Sequence, residues 1–151
     1  MSKSLLKLVY TYHFRCGYRL YNPQMNDQEN IILYGNSQNP NGMGGNFTLK
    51  LTLFGTIDPV SGMIVKPAKI NDAVNEHVLS KINYKFLNKD VAEFEHIPPT
   101  IENMAVVIWD WITKKINSKN LLSITITSQE GVEVEYTGQK QEQENVFDFI
   151  I

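Results

Sequence analysis

A run of alternating apolar and polar residues in the first half of the chain restricts its fold more than any other feature. The apolar members are Phe47, Leu49, Leu51 and Leu53, and the polar residues between them are Thr48, Lys50 and Thr52. Successive side chains of a β-strand point to opposite faces, so this spacing predicts a strand with one buried and one exposed face. The fold must therefore contain a sheet.

Four more segments predict strands on either side of this one. They are rich in branched and aromatic residues or alternate in polarity, and they cover Leu5–Phe14, Met63–Lys66, Ser123–Thr127 and Val132–Tyr136. The last two flank the sequence Gln129–Gly131, which indicates a hairpin turn. The polar segment Asn22–Asn30 contains a proline and is predicted to be a loop.

Two segments change to the period of a helix. After Pro67, apolar residues recur three and four positions apart on one helical face, which holds Ile70, Ala73, Val74, His77 and Val78. A second helix is predicted after Pro99, with Thr100 as its N-cap and Glu102 in its first turn. The order of strands and helices predicts an α+β fold with a mainly antiparallel sheet.

Charge and composition exclude several classes of function. The net charge is −2 and the cations are scattered, whereas nucleic-acid binding requires clustered Lys and Arg. We find no apolar run near the roughly 20 residues of a membrane span and no signal-peptide pattern, so a cytoplasmic protein is expected. The single Cys16 excludes an internal disulfide, and the three histidines lack metal-binding spacing.

Three separated segments point to one family. They read YGNSQNPNGMGGN at Tyr34–Asn46, GTIDPVSGM at Gly55–Met63 and PTIENMAVVIW at Pro99–Trp109. In this order they resemble conserved segments of the 6-pyruvoyl tetrahydropterin synthase family, and the likeness covers roughly residues 5–138. We therefore expect a family domain at residues 1–138, followed by a polar linker and apolar tail at residues 139–151.

The resemblance implies a tunnelling-fold subunit, in which an antiparallel sheet is backed by two helices. It also implies a homo-oligomer, in which subunits join edge to edge into a barrel-like trimer and two trimers form a hexamer. In the family, three histidines bind zinc. The matching positions here are Tyr18, Met43 and Gly45, so the family's zinc is expected to be absent, and no other cofactor is expected.

The resemblance also implies that the catalytic residues are replaced. Ser37 stands at the family's cysteine, and Asn83 and Tyr84 stand at its aspartate and histidine. Ser128 stands at the glutamate that holds the pterin. We expect no catalytic residue, and a degenerate ligand site made of Tyr18, Ser37, Met43, Gly45, Asn83, Tyr84, Thr100, Ile101, Glu102 and Ser128.

These replacements favour a catalytically inactive protein that binds a flat, pterin-like heterocycle at subunit interfaces. Tyr18, Met43 and Tyr84 would make such a pocket more apolar and aromatic. One alternative is an interaction protein, which either co-assembles with an active synthase or docks a partner through Val146–Ile151. A second alternative is an active lyase of the tetrahydropterin pathway with a rebuilt site near His13 and Cys16.

Overall fold

The computed structural model describes residues 3–117 and 119–141 of the chain. Its strands and α-helices follow in the order β1 Leu5–Tyr18, α1 Asp27–Tyr34, β2 Met43–Thr56, α2 Pro67–Val74, α3 Ser80–Ile82, α4 Leu87–Asp90, α5 Ile101–Thr113, β3 Leu121–Ser128 and β4 Glu133–Tyr136. The predicted α+β class is confirmed. The predicted tail Val146–Ile151 lies outside the described residues.

The strands form one antiparallel sheet in the order β1-β2-β3-β4. β1 and β2 pair along their whole lengths, from Leu5 opposite Thr56 to Tyr18 opposite Met43. Both strands extend beyond their predicted ends, because pairing across the sheet keeps the glycine-rich start of β2 extended. This extension brings the ends of β1 and β2 together at one edge of the molecule.

The alternation in β2 buries one face of the sheet. Leu49, Leu51 and Leu53 are fully buried there, and α2 and α5 pack against the same core. Burying such a side chain stabilises the fold by about 1.5–3 kcal/mol. The core residues of the two helices are Ile70, Ala73, Val74, Met104, Ala105, Val107, Ile108, Trp111 and Ile112.

The start of α5 confirms the predicted N-cap. The hydroxyl of Thr100 accepts a hydrogen bond from the Asn103 backbone N–H at 3.2 Å. The side-chain amide of Asn103 donates to the Pro98 carbonyl at 2.8 Å. These bonds satisfy groups that the first turn of a helix leaves without partners.

Two predictions of local structure were wrong. The predicted loop at Asn22–Asn30 ends in the first turn of α1, where Asn26 and Glu29 form a reciprocal capping box. Met63–Lys66 is not a strand; Met63 instead closes a turn by accepting from the Asp58 N–H at 2.9 Å. No strand of the described chain pairs with this segment, and an isolated short strand has no stability of its own.

The helix that begins at α2 continues through a π-helical segment, Asn75–Leu79, into α3. His77 lies on this segment, half-buried, with its Nε2 3.8 Å from a carboxylate oxygen of Glu76. It therefore lies at the rim of the buried helical face. Among residues 3–117 and 119–141, no helix is both long and apolar enough to cross a membrane.

Candidate functional site

The paired ends of β1 and β2 bring together the three positions that match the family's zinc ligands. Tyr18 lies opposite Met43, and Gly45 lies opposite Cys16, one pleat further along the same ladder. A Cβ atom on Gly45 would lie 3.3 Å from Cε1 of Tyr18 and 2.8 Å from Cε2 of Phe47. Aromatic rings thus occupy the space into which a side chain at position 45 would project.

These side chains do not fit a zinc ion bound as in the family. Burial, followed by the nearby Glu130 and Cys16, raises the pKa of the Tyr18 phenol, so it stays protonated near neutral pH. A neutral phenol and a thioether are weak ligands for zinc, and glycine offers no side-chain donor. Among the described residues, no cluster of three or more His, Cys, Asp and Glu could hold a metal ion.

A loop after α3 is tied to the outer edge of β1. The Asn83 side-chain oxygen accepts from the Arg15 N–H at 2.9 Å, and the Tyr84 N–H donates to the Arg15 carbonyl at 2.6 Å. The Gly17 N–H donates to the Lys85 carbonyl at 2.8 Å. Asn83 therefore has a structural role here, since it holds the loop against the strand.

Tyr84 has an unusual backbone conformation within this loop. Its φ angle is 61°, in the left-handed region, and no other non-glycine residue of the described chain has a positive φ. Its side chain is 76% exposed. Backbone conformations of this kind cost free energy and cluster at functional sites, so Tyr84 is a candidate site residue.

The strand ends and this loop border an open cavity of ≈ 550 Å³, which we call the strand-end groove. It is lined by Arg15, Cys16, Gly17, Gly44, Gly45, Asn46, Tyr84, Lys85, Phe86 and Gln129. Two of the predicted site residues, Gly45 and Tyr84, belong to this lining. Its charged residues are Arg15 and Lys85, and none of the lining residues carries a carboxylate.

Ser128 lies beside a second cavity of ≈ 240 Å³, which shares Arg15, Asn46 and Gln129 with the groove. The Ser128 hydroxyl accepts from the Val132 N–H at 3.2 Å, and its own N–H donates to the Val132 carbonyl at 2.8 Å. Ser128 therefore closes the β3–β4 hairpin. Gln129, the residue after Ser128, lines both cavities.

The other predicted site residues line neither cavity. Ser37 lies in a 3-10 helix, Gly35–Gln38, and its carbonyl accepts from the Leu20 N–H at 2.9 Å. Thr100 caps α5, while Ile101 is half-buried and Glu102 is exposed in the first turn. Tyr18, Met43 and Asn83 are also absent from the linings of both cavities. A single subunit therefore brings only some of the predicted ligand-site residues together.

His13 and Cys16 do not form a nucleophile and base pair. They are an odd number of residues apart on β1, so their side chains point to opposite faces of the sheet. Burial raises the pKa of the Cys16 thiol to about 12, which keeps it protonated. His13 instead lies on the polar face, with Nδ1 3.3 Å from the Thr48 hydroxyl.

Sequence reasoning missed several groove residues. Lys85, Asn46 and Gln129 directly follow the predicted site residues Tyr84, Gly45 and Ser128, which is a signal that could have found them. Arg15 carried no such signal, since only the register of β1 and β2 places it opposite Asn46.

Comparison with known proteins agrees with this geometry. The family model for 6-pyruvoyl tetrahydropterin synthase matches residues 7–148. The chain belongs to the 6-pyruvoyl tetrahydropterin synthase family. A human 6-pyruvoyl tetrahydrobiopterin synthase is 33% identical over 126 residues, which cover 83% of this chain and 87% of the human protein.

Two further relatives show how far the likeness extends. A Drosophila melanogaster 6-pyruvoyl tetrahydrobiopterin synthase is 36% identical over 109 residues, 72% of this chain but only 65% of the fly protein. The Caenorhabditis elegans 6-pyruvoyl tetrahydropterin synthase structure superimposes with a TM-score of 0.86 at 28% identity, covering 92% of this chain and all of that one. The sheet and helices are therefore those of the family's tunnelling fold.

Proposed function

We propose that this chain is a zinc-free, catalytically inactive member of its family that binds a flat, pterin-like heterocycle. The observation that carries the proposal is the strand-end groove, whose lining includes the exposed Tyr84 and Gly45, one of the three positions at which a zinc ligand is predicted to be lost. The groove's ≈ 550 Å³ lies within the 300–1,000 Å³ typical of small-molecule sites.

The absence of catalysis is inferred from the side chains. Ser37 has no base among its hydrogen-bond partners in the described chain, and a serine hydroxyl is not activated without one. Asn83 and Tyr84 replace a proton-relay pair, and the amide of Asn83 has no proton to exchange near neutral pH. Cys16 stays protonated, and His13 lies on the opposite face of the sheet from it. Both observations weigh against the alternative of a rebuilt active site.

Ring binding is inferred from the aromatic residues of the groove. Tyr84 is held by backbone hydrogen bonds with its ring exposed, and Phe86 lines the same cavity. Stacking of a flat ring on a fixed aromatic side chain loses little conformational entropy. A bicyclic heterocycle is therefore the ligand class that suits this lining.

A homo-oligomer, a trimer or a hexamer, is part of the proposal. The sheet has two edge strands, β1 and β4. The loop after α3 partners the outer edge of β1 at Arg15 and Gly17, and the rest of that edge and the outer edge of β4 are free to pair with another chain. On the polar face, β1 carries the exposed cations Lys7 and Arg15, whereas β4 carries the exposed acids Glu133 and Glu135. Edge-to-edge joining of copies would pair these opposite charges and place neighbouring subunits beside the groove.

Native mass spectrometry of protein purified without chelator tests the proposal. An oligomer that carries a small organic adduct and no zinc is the expected result. One zinc per subunit would contradict the zinc-free site, and the proposed lack of catalytic activity would then lose its support. Absence of affinity for pterins and purines in a fluorescence titration would contradict ring binding.

The interaction-protein alternative takes two forms, co-assembly with an active synthase and docking of a partner through Val146–Ile151, a segment outside the described residues. Deleting this tail tests docking through it independently of ring binding. Loss of capture of an active synthase by the folded, truncated protein would favour the interaction role, and unchanged capture would exclude docking through the tail.

A further inference from the structure

We infer that the tail Val146–Ile151 folds back onto its own subunit and covers an apolar cavity at one end of the sheet. This end holds Leu5 and Thr56, and it lies opposite to the end that forms the strand-end groove. The tail lies outside the described residues, whereas the cavity is built from described ones. The contact is separate from ring binding, and it competes with capture of a partner through the same tail.

The cavity lies beside the turn that follows β2. It measures ≈ 410 Å³, and we call it the turn cavity. Its lining consists of Asp58, Ser61, Met63, Ile64, Val65 and Lys66. Met63 is 45% exposed, so the described chain leaves apolar surface of this lining in contact with water.

The start of β1 extends this apolar surface. Leu6 pairs with Gly55, so the Leu6 side chain lies on the face toward which a side chain at position 55 would point. A Cβ atom on Gly55 would lie 2.7 Å from Cγ2 of Ile64, which places Ile64 on that same face. Leu6 is 41% exposed. Another segment could therefore bury apolar area across Leu6 and the turn cavity.

The described chain leaves β4 on the same side of the sheet as the turn cavity. A Cβ atom on Gly138 would lie 2.5 Å from the Trp109 ring, so the chain after β4 runs against α5. This helix packs on the buried face of β2, and Gly55 continues the alternation of that face after Leu53. The linker thus starts on the side where it needs to arrive.

The linker is long enough to bring the tail to the turn cavity. Tyr136 lies level with Leu51 across the sheet, and Gly55 follows Leu51 along β2. The path from Tyr136 to Gly55 therefore covers about 10 Å across the strands and about 13 Å along them. Residues 139–145 alone span up to about 23 Å when extended. The tail can thus reach the cavity of its own subunit.

The charges beside this path complement those of the linker. Lys114, Lys115 and Lys119 are exposed at the end of α5 and in the turn that follows it. The one ion pair found within the described part of the chain involves none of these lysines. The linker carries Glu142 and Glu144, which would meet the lysines on the way to the cavity.

The tail also matches the turn cavity in polarity. Phe147 and Phe149 supply large apolar side chains, and Asp148 lies between them in the sequence. The exposed Lys66 lines the cavity and can pair with that carboxylate. The Asp58 carboxylate of the lining is already engaged by two backbone N–H groups of its own turn, at 2.7 and 3.1 Å. The lining therefore suits a segment with two aromatic rings and one acid.

Disulfide cross-linking tests the contact. Ile150→Cys is combined with Met63→Cys in the turn cavity or, as a control, with Ile32→Cys, which is 75% exposed on α1 at the other end of the sheet. Docking concentrates one thiol at the other, so with oxidised glutathione the Met63 pair is expected to close roughly tenfold faster than the Ile32 pair. Cys16 is buried and does not compete.

The size of the product identifies the occupant. A disulfide within one chain, seen as a single-chain mass on a non-reducing gel, supports the inference. A disulfide that joins two chains would place the tail of a second copy in the cavity, and equal rates for the two pairs would show an unattached tail. Either of these results would overturn the inference.

A charge placed in the turn cavity gives an independent readout. Met63→Asp should release the tail, so cleavage after Glu142 and Glu144 by a glutamyl endopeptidase is expected to become roughly tenfold faster. Val60→Asp makes the same change in charge at a turn residue that is 95% exposed and outside the lining, and should leave the rate unchanged. Equal cleavage of the two variants would contradict docking in the cavity.

Discussion

At the scale of single residues, aromatic rings fill the space beside Gly45, one of the positions at which a zinc ligand is predicted to be lost. The Phe47 ring stacks on Phe14 with centroids 5.1 Å apart, and the Tyr18 ring lies 6.0 Å from that of Phe47. This aromatic cluster occupies the space beside Gly45. A histidine at position 45 would therefore require the neighbouring rings to move before it could approach a metal.

Gly45→Ala tests this packing. The added Cβ would lie 2.8 Å from the buried Phe47 ring, so we expect the free energy of unfolding to fall by about 1–3 kcal/mol through overpacking. Gly44→Ala is the matched control, because nothing lies within 4 Å of its Cβ position. Urea denaturation measures both, and equal stability of the two variants would contradict the close packing at position 45.

The Cys16 thiol gives a second prediction at this scale. Its folded-state pKa of about 12 lies above its ordinary value of 9.0, so ionisation favours the unfolded chain at high pH. Its contribution to stability is complete below pH 9.0 and is lost as the pH rises toward 12. Denaturation measured at several pH values tests this effect. As the pH rises from 9.0 toward 12, we expect the free energy of unfolding to fall less in Cys16→Ala than in the unmodified protein.

The same burial predicts low thiol reactivity. The native protein should react slowly with an aromatic disulfide reagent near pH 8, and denaturation should expose the thiol. Rapid reaction of the native protein would instead indicate an activated nucleophile, and would support the alternative of a rebuilt site.

At the scale of secondary-structure elements, polar side chains set where helices begin. Asn30 is fully buried, and its amide donates to the carbonyls of Asn22 and Asn26 at 3.1 Å and 3.0 Å while it accepts from the Asn22 N–H at 2.8 Å. It thereby fixes the preceding loop to α1. Thr100 performs the simpler capping role at α5.

Thr100→Ala should lower the free energy of unfolding by about 0.5–2 kcal/mol, the usual cost of a lost N-cap. Thr100→Ser retains the hydroxyl and should restore most of the stability. Thermal or urea denaturation measures both variants. If Thr100→Ala left stability unchanged but abolished ligand binding, the residue would act on a ligand and not as a cap.

At the scale of the whole molecule, the sheet distributes opposite charges to its two edges. The Glu133 and Glu135 carboxylates accept hydrogen bonds from the Thr127 and Ser123 hydroxyls at 3.0 Å, which orients them on the polar face of β4. The cations of that face lie on β1 and β2. Copies joined from β4 to β1 would attract one another, whereas like edges would repel.

Charge reversal at β4 tests this arrangement. The double variant Glu133→Lys and Glu135→Lys is expected to lower the mass of the assembly in native mass spectrometry, most clearly at low ionic strength. Glu93→Lys with Glu95→Lys makes the same change in charge on exposed residues away from the sheet edges, and should leave the mass unchanged. An unchanged assembly in the β4 variant would contradict charge-guided joining.

Much of the fold was accessible from local patterns. The alternation of β2, the helical period of α5 and the cap at Thr100 are properties of neighbouring residues, so the sequence predicted them. The predicted loss of zinc ligands at Tyr18 and Met43 also rests on the sequence alone, because the donor atoms that a side chain carries do not depend on the fold.

The sequence by itself thus determined the α+β class, the family and the side chains available for chemistry. Only the tertiary structure decided which of them meet: it set Arg15 beside Gln129, and filled the space at Gly45 with rings from other positions. It also gave Tyr84 its left-handed backbone. These features depend on hydrogen bonds and packing between residues far apart in the chain, whose register no local pattern encodes.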